Sequence, residues 1–162
     1  MPGLTVATIG VYGASLESFL AALQGTGVRL LIDVRQRRGV RGREYAWANS
    51  LRLQAALAGA SIEYRHHLEL APTTELRRLQ YREDERLGEG KRSRSALAPE
   101  YRRRYVREIL DRVDMHAFAA SLPREHPAAL LCVERDARAC HRSLVAERLA
   151  REHGAHIVDL LP

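Results

Sequence analysis

Cysteine is scarce in this chain, with two residues in 162, and two thiols are too few for a disulfide-based scaffold. No stretch reaches the run of about 18 apolar residues that a membrane-spanning helix needs. The first residues lack the basic and long apolar segments of a secretory signal peptide. These absences argue against a disulfide-rich secreted protein and against a membrane protein, so we expect a cytoplasmic protein.

Lysine is almost absent too, because Lys91 is the single lysine among 26 lysines and arginines. The formal net charge is +6, and the planar guanidinium of arginine can bind two phosphate oxygens at once. This composition allows nucleotide or nucleic-acid partners. A GC-rich genome that favours arginine codons explains it equally well.

Short apolar runs alternate with helical patterns along the chain, and hydrophobic residues make up 46% of it. One helix begins at the N-cap Ser15 and ends at Gly25 and Gly27, and two others are predicted near 49–58 and 143–152. The predicted strands cover residues 4–9, 28–34, 61–65, 128–133 and 155–160. The alternation predicts a single α/β domain over residues 1–162, with an open, mainly parallel sheet of about five strands and helices on both faces.

Residues 74–122 interrupt this alternation and form a charged helical elaboration before the fourth strand. Residues 88–95 are expected to be mobile. Pro99 and Glu100 suit a first helical turn, and large apolar residues then recur at roughly helical spacing up to about Leu122.

Several chemically active residues fall at the carboxyl ends of predicted strands, where parallel sheets bind their ligands. They are Gly10, Asp33, Arg35, Cys132 and Glu134. Because sequence spacing does not force this coincidence, the carboxyl edge of the sheet is the predicted site.

A second block, Cys140-His141-Arg142-Ser143, lies at the entrance of the helix near 143–152. Free backbone N–H groups at a helix N-terminus favour anions. We therefore expect Arg142 and Ser143, together with Arg35 and Gly10, to bind a phosphate or carboxylate. Cys140 is a candidate reactive thiol.

Less specific explanations remain open for these residues. Asp33 and Arg35 can form a structural ion pair, and Cys132 can be a small core residue. Cys132 and Arg138 match the Cys-x5-Arg spacing of cysteine phosphatases and some sulfurtransferases, but the intervening loop has no glycine and carries acidic residues. The cysteines, His141 and Glu134 fit no zinc-binding spacing, so no metal and no cofactor is predicted.

Five sets of residues, in order along the chain, resemble the family known as domain of unknown function 488. They are Thr8-Ile-Gly10, Leu31-Ile-Asp-Val-Arg35, Ile62-Glu-Tyr64, Glu69-Leu-Ala-Pro-Thr73, and Cys132-Val-Glu134 with Cys140-His-Arg-Ser143. The resemblance implies a compact α/β fold and a mostly bacterial distribution, without a settled activity. Many members carry histidine and serine directly after the first-strand glycine, where this chain has Val11, Tyr12 and Gly13.

Two functions are expected from these features. The first is an enzyme acting on a phosphate-bearing substrate, a nucleotide or nucleic acid, with Asp33, Glu134 and His141 in acid–base roles. The second is a non-catalytic nucleic-acid-binding module. Thiol-dependent chemistry at Cys132 or Cys140 is a weaker alternative. The nucleic-acid-binding module would use the arginines of its helices together with the basic loop that follows the second strand, with Arg37, Arg38, Arg41 and Arg43.

Overall fold

A computed structural model describes residues 3–90 and 92–162, so Met1, Pro2 and Lys91 lie outside it. Within these described ranges, five parallel strands form one sheet in the order β3-β2-β4-β1-β5. The strands are β1 Thr5–Ile9, β2 Leu30–Asp33, β3 Glu63–His66, β4 Ala128–Leu131 and β5 His156–Asp159. The predicted parallel α/β sheet of about five strands is confirmed.

The position of the inner strands within the sheet explains why their sequences are almost entirely apolar. Every residue of β2 and β4 is buried, whereas β3 and β5 at the sheet edges are partly exposed. An inner strand of a parallel sheet is covered on both faces, so alternation of apolar and polar residues disappears.

The described residues form six α-helices, and local sequence sets the ends of these helices. Helix α1 begins after Ser15, whose side chain takes part in a capping box, and ends at Gly27 with φ 80°. Helix α6 ends in the same way at Gly154 with φ 66°. A left-handed residue after the last helical turn favours glycine, so these two glycines stop their helices. The helices are α1 Leu16–Thr26, α2 Ser50–Gly59, α3 Thr74–Arg86, α4 Pro99–Tyr105, α5 Met115–Ala120 and α6 Arg142–His153.

The 74–122 segment is less regular than its apolar spacing predicts. Helix α4 passes into a π-helical turn at Val106–Leu110, and α5 starts separately after Asp114. The Asp114 carboxylate accepts a hydrogen bond from the Ala117 N–H at 2.9 Å, so a new N-cap forms inside the expected helix.

The mobility expected for residues 88–95 is wrong at Arg94. Its side chain is buried, with 7% of the residue exposed, and it forms an ion pair with Asp84 at 2.9 Å. A buried ion pair fixes this part of the segment against α3.

None of the helices in the described ranges is both long enough and apolar enough to cross a membrane.

Candidate functional site

A cavity of about 410 Å³ opens at the carboxyl edge of the sheet. Its size falls within the usual range for small-molecule sites. Strand ends, the basic loop and the 74–122 segment all contribute to its walls. The lining residues that bear on its chemistry are Tyr12, Arg37, Arg41, Arg77, Arg94, Cys132, Glu134, Cys140 and His141.

Both cysteines and His141 meet at one side of this cavity. The Cys132 Sγ lies 3.8 Å from His141 Nδ1, and the Cys140 Sγ lies 3.6 Å from the same nitrogen. On the other side of the ring, His141 Nε2 is 2.7 Å from the Val34 carbonyl oxygen. A carbonyl oxygen can only accept, so Nε2 carries a proton and Nδ1 faces the sulfur atoms.

The pKa values of the two thiols are shifted in opposite directions. Burial, the hydrogen bond with Cys140 and the nearby negative charges raise the pKa of Cys132 well above its ordinary value. Burial alone would also raise the pKa of Cys140. The hydrogen bond from Cys132 and the charges of His141 and Arg142 outweigh burial and bring the pKa of Cys140 well below its ordinary value.

Cys140 in turn shifts the pKa of the His141 imidazole. Burial lowers the pKa of His141, but the charge and hydrogen bond of Cys140 and the bond to the Val34 carbonyl raise it above its ordinary value. Cys140 is therefore the more acidic of the two thiols, and it lies beside the imidazole whose pKa it raises.

Arg94 connects Glu134 to the 74–122 segment and was not predicted from the sequence. Its Nη1 lies 3.4 Å from Glu134 Oε1 and donates to the Ala139 carbonyl at 3.0 Å. Its Nε donates to both Asp84 carboxylate oxygens at 3.1 Å. The residue sits in a polar, glycine-containing stretch without periodicity, so no local signal marked it.

Asp33 and Arg35 form a closed ion pair. The Arg35 Nε and Nη2 each donate to one Asp33 carboxylate oxygen at 2.9 Å, and Nη1 donates to the Ala48 carbonyl at 2.9 Å. The Tyr64 hydroxyl donates to the same carboxylate at 2.5 Å. Arg35 borders the cavity, but its directed hydrogen bonds are made within the protein.

Arg142 also contacts protein groups rather than the cavity. Its Nη1 donates to the Glu134 carbonyl at 2.7 Å and its Nη2 to the Arg135 carbonyl at 3.2 Å. The neighbouring Ser143 hydroxyl donates to the Cys140 carbonyl at 2.8 Å. These bonds hold the loop between β4 and α6, which carries Glu134.

Gly10 is needed where β1 passes that loop. A Cβ atom on Gly10 would lie 2.0 Å from the Glu134 carbonyl oxygen, far inside van der Waals contact. The glycine therefore allows the two backbone segments to approach each other.

A family model described as "Domain of unknown function DUF488" matches residues 15–149, most of the chain. The chain belongs to the DUF488 family. No curated protein and no solved structure matched it. The family assignment confirms the resemblance found in the sequence.

The basic loop of this DUF488 protein splits into residues inside and outside the cavity. Arg37 and Arg41 line it. Arg38 instead points to Tyr64, with 3.4 Å between its Nη1 and the hydroxyl oxygen. Arg43 is exposed at the start of a 3₁₀ turn, Arg43–Ala48.

Tyr12, two residues after Gly10, is the aromatic residue that follows the first strand. It lines the cavity and packs on Tyr45 with 5.3 Å between ring centroids. The Arg92 guanidinium lies 5.1 Å from the Tyr12 ring and 5.2 Å from the Tyr45 ring. Tyr12 therefore contributes an aromatic ring to the cavity lining, and a cation–π contact with Arg92 holds that ring in place.

Arg138, the arginine of the Cys-x5-Arg spacing, is turned away from Cys132. Its Nη2 pairs with Asp136 at 3.0 Å, and its side chain is 79% exposed. Arg138 is also absent from the cavity lining. The loop does not place this guanidinium over the thiol, as a phosphatase-like anion cradle requires.

Proposed function

We propose that this protein is an enzyme acting on a small phosphate-bearing substrate, of nucleotide size, in the cavity at the carboxyl edge of the sheet. The single observation that carries the proposal is that one cavity is lined both by cationic side chains and by side chains capable of acid–base or thiol chemistry. Arg37 and Arg41 are exposed and line the cavity at its rim, whereas Cys132, Cys140, His141 and Glu134, which also line it, are buried.

The rim arginines favour an anionic ligand because their guanidinium groups are not neutralised. Within residues 3–90 and 92–162, neither Arg37 nor Arg41 forms an ion pair. Arg77, also in the lining, donates to Gln36 at 2.8 Å and to Tyr81 at 3.0 Å. Three guanidinium groups around one opening attract phosphate and can bind it bidentately.

The residues in and around the cavity have different roles in this enzyme. Glu134 presents a carboxylate to the bound substrate for proton transfer, held in place by Arg94. Asp33, Arg35 and Arg142 position strand ends and the loop after β4, because their hydrogen bonds go to protein groups. Tyr12 offers a ring on which a nucleobase can stack.

Calorimetric titration with nucleotides and nucleosides tests the anion-binding part. A nucleoside monophosphate should bind and its parent nucleoside should bind at least about tenfold more weakly, since a hydrogen bond to a charged group contributes about 1.5–3 kcal/mol. Arg41→Gln should weaken the nucleotide by a similar factor. Arg78→Gln is the matched control, because Arg78 is exposed and outside the lining.

Equal affinity for nucleotide and nucleoside, or an equal loss in the Arg78 control, would contradict the proposal. A panel of phosphomonoesters and nucleotides then tests turnover. Glu134→Gln should remove turnover of any substrate found while changing its dissociation constant little, because the carboxylate acts on the bound substrate.

A nucleic-acid-binding module is the second candidate, favoured by the exposure of Arg37, Arg41 and Arg43 along one loop. The two functions predict different effects of oligonucleotide length on binding affinity. A binding module should gain affinity as an oligonucleotide grows and lose it steeply with salt. An enzyme whose substrate fits within the cavity should bind a mononucleotide as tightly as a longer strand.

A further inference from the structure

We infer that Cys132, Cys140 and His141 form a binding site for one zinc-class divalent cation, with a fourth position open to the cavity. Their potential ligand atoms all lie within 4.8 Å of one another, and all three residues are buried. This goes beyond the proposed function, because a metal can bind here whether or not the cavity turns over a substrate.

The two sulfur-to-nitrogen distances match those that a tetrahedral zinc site requires, and the two sulfur atoms lie within 4.8 Å of each other. Bonds of about 2.3 Å to sulfur and about 2.0 Å to nitrogen place a sulfur and a nitrogen ligand roughly 3.6 Å apart. The two sulfur-to-Nδ1 distances are 3.8 Å and 3.6 Å. Small side-chain adjustments therefore suffice to bring both sulfur atoms and the nitrogen to one ion.

The imidazole is already in the tautomer that a metal ligand needs. His141 Nε2 donates to the Val34 carbonyl across 2.7 Å, which leaves the Nδ1 lone pair directed at the thiols. Metal-bound histidines usually make this hydrogen bond with their second nitrogen, because it fixes the ring and strengthens the ligand.

The kind of ligand selects the kind of metal. Two thiolates and an imidazole suit zinc and other borderline or soft ions, whereas magnesium and calcium prefer oxygen ligands. Two thiolates would also cancel the charge of a divalent ion. The two buried guanidinium groups among the described residues of the cavity lining are already paired with carboxylates, Arg35 with Asp33 and Arg94 with Asp84 and Glu134.

The cavity leaves room for a fourth ligand. Cys132, Cys140 and His141 all line it, so an ion held by them faces the space where a substrate would bind. Three protein ligands and an exchangeable fourth position are typical of catalytic rather than structural zinc. Glu134 borders the same space.

Metal titration of the reduced full-length protein tests the inference. Chelator-treated protein should take up one zinc per chain, measured by elemental analysis, with submicromolar affinity in competition with a chromophoric chelator. Cobalt should give the visible bands of a tetrahedral complex and a near-ultraviolet thiolate-to-cobalt band. The chain has only two cysteines, so zinc should also protect all of its thiol against a disulfide reagent.

Three variants and one control connect the metal to these residues. Cys132→Ser, Cys140→Ser and His141→Gln should each weaken zinc binding by at least about tenfold. His116→Gln should bind zinc like the parent protein, because His116 is exposed and outside the cavity lining. Circular dichroism establishes that each variant is folded.

Failure of the unmodified protein to bind zinc or cobalt below micromolar concentration would overturn the inference and needs no variant. Full zinc retention in a folded Cys132→Ser/Cys140→Ser protein would also overturn it. Nucleotide binding is measured separately on the metal-free protein. If zinc does not bind but nucleotide does, only the metal site is refuted. If zinc binds but nucleotide does not, only the proposed function is refuted.

Discussion

Replacing Arg35 by methionine tests whether this arginine stabilises the fold or binds an anionic ligand. Methionine keeps an unbranched apolar stem but removes the side-chain hydrogen bonds to Asp33 and to the Ala48 carbonyl. The Asp33 carboxylate stays buried, at 0% exposure, and keeps Tyr64 as its remaining side-chain hydrogen-bond donor. The change therefore leaves a buried charge without its cation.

The expected loss of stability follows from that buried charge. Removing one partner of a buried ion pair costs about 3–5 kcal/mol, against a total of about 5–15 kcal/mol for a typical domain. We expect Arg35→Met to lower the free energy of unfolding in urea by about 3–5 kcal/mol. Arg37→Met, the exposed control in the same loop, should stay within about 0.5 kcal/mol of the parent.

A double variant completes the test. Asp33→Leu/Arg35→Met removes both charges, so it should lose less stability than the two single changes added together. Unfolding of Arg35→Met at the same urea concentration as Arg37→Met, together with a loss of nucleotide affinity, would contradict a structural role for Arg35. In that case Arg35 acts on the ligand and not on the fold.

Three further predictions concern the supports of the site. Gly10→Ala should cost at least about 3 kcal/mol in urea unfolding, because its Cβ would lie 2.0 Å from the Glu134 carbonyl oxygen; Gly25→Ala, in open space within α1, should instead stabilise by about 0.5–1 kcal/mol, and equal effects would contradict this. Burial raises the pKa of Tyr64 above its ordinary 10.0, despite an opposing hydrogen bond from an arginine. The stability that this raised pKa contributes should be complete below pH 10 and be lost as pH rises from 10 through the raised value, and ultraviolet absorbance should show ionisation above pH 10. Arg94→Met should destabilise the protein and weaken nucleotide binding, since it breaks two buried ion pairs; unchanged urea unfolding would contradict it.

The parts of the structure that the sequence predicts are those set by local pattern. Apolar runs marked the five strands, and Ser15 and Gly27 marked a helix start and end. The position of Cys132 and the 140–143 block at one sheet edge also follows from local pattern. A residue at the carboxyl end of β4 and a residue at the start of the next helix are necessarily close when the sheet is parallel.

The roles of the arginines depend on contacts that no local pattern encodes. Arg35 and Arg142 lie near the predicted anion site, but their N–H groups donate to Asp33 and to backbone carbonyls. The same residue type at Arg37 and Arg41 lines the cavity. Spacing along the chain identified arginines near the edge of the sheet, and only tertiary packing decides which of them have free N–H groups.

The 74–122 segment shows how the fold completes the site. Arg94 reaches Glu134 on the loop after β4, and Gln80 on α3 donates to Asp84 at 2.8 Å and accepts from the Ala98 N–H at 2.9 Å. These bonds connect α3, the stretch before α4 and the sheet edge through buried polar groups. Because an unpaired buried polar group is costly, the segment and the sheet edge stabilise each other's arrangement. The cavity wall therefore forms only when the segment is packed, so loosening α3 should change the position of Glu134 as well as the stability of the segment.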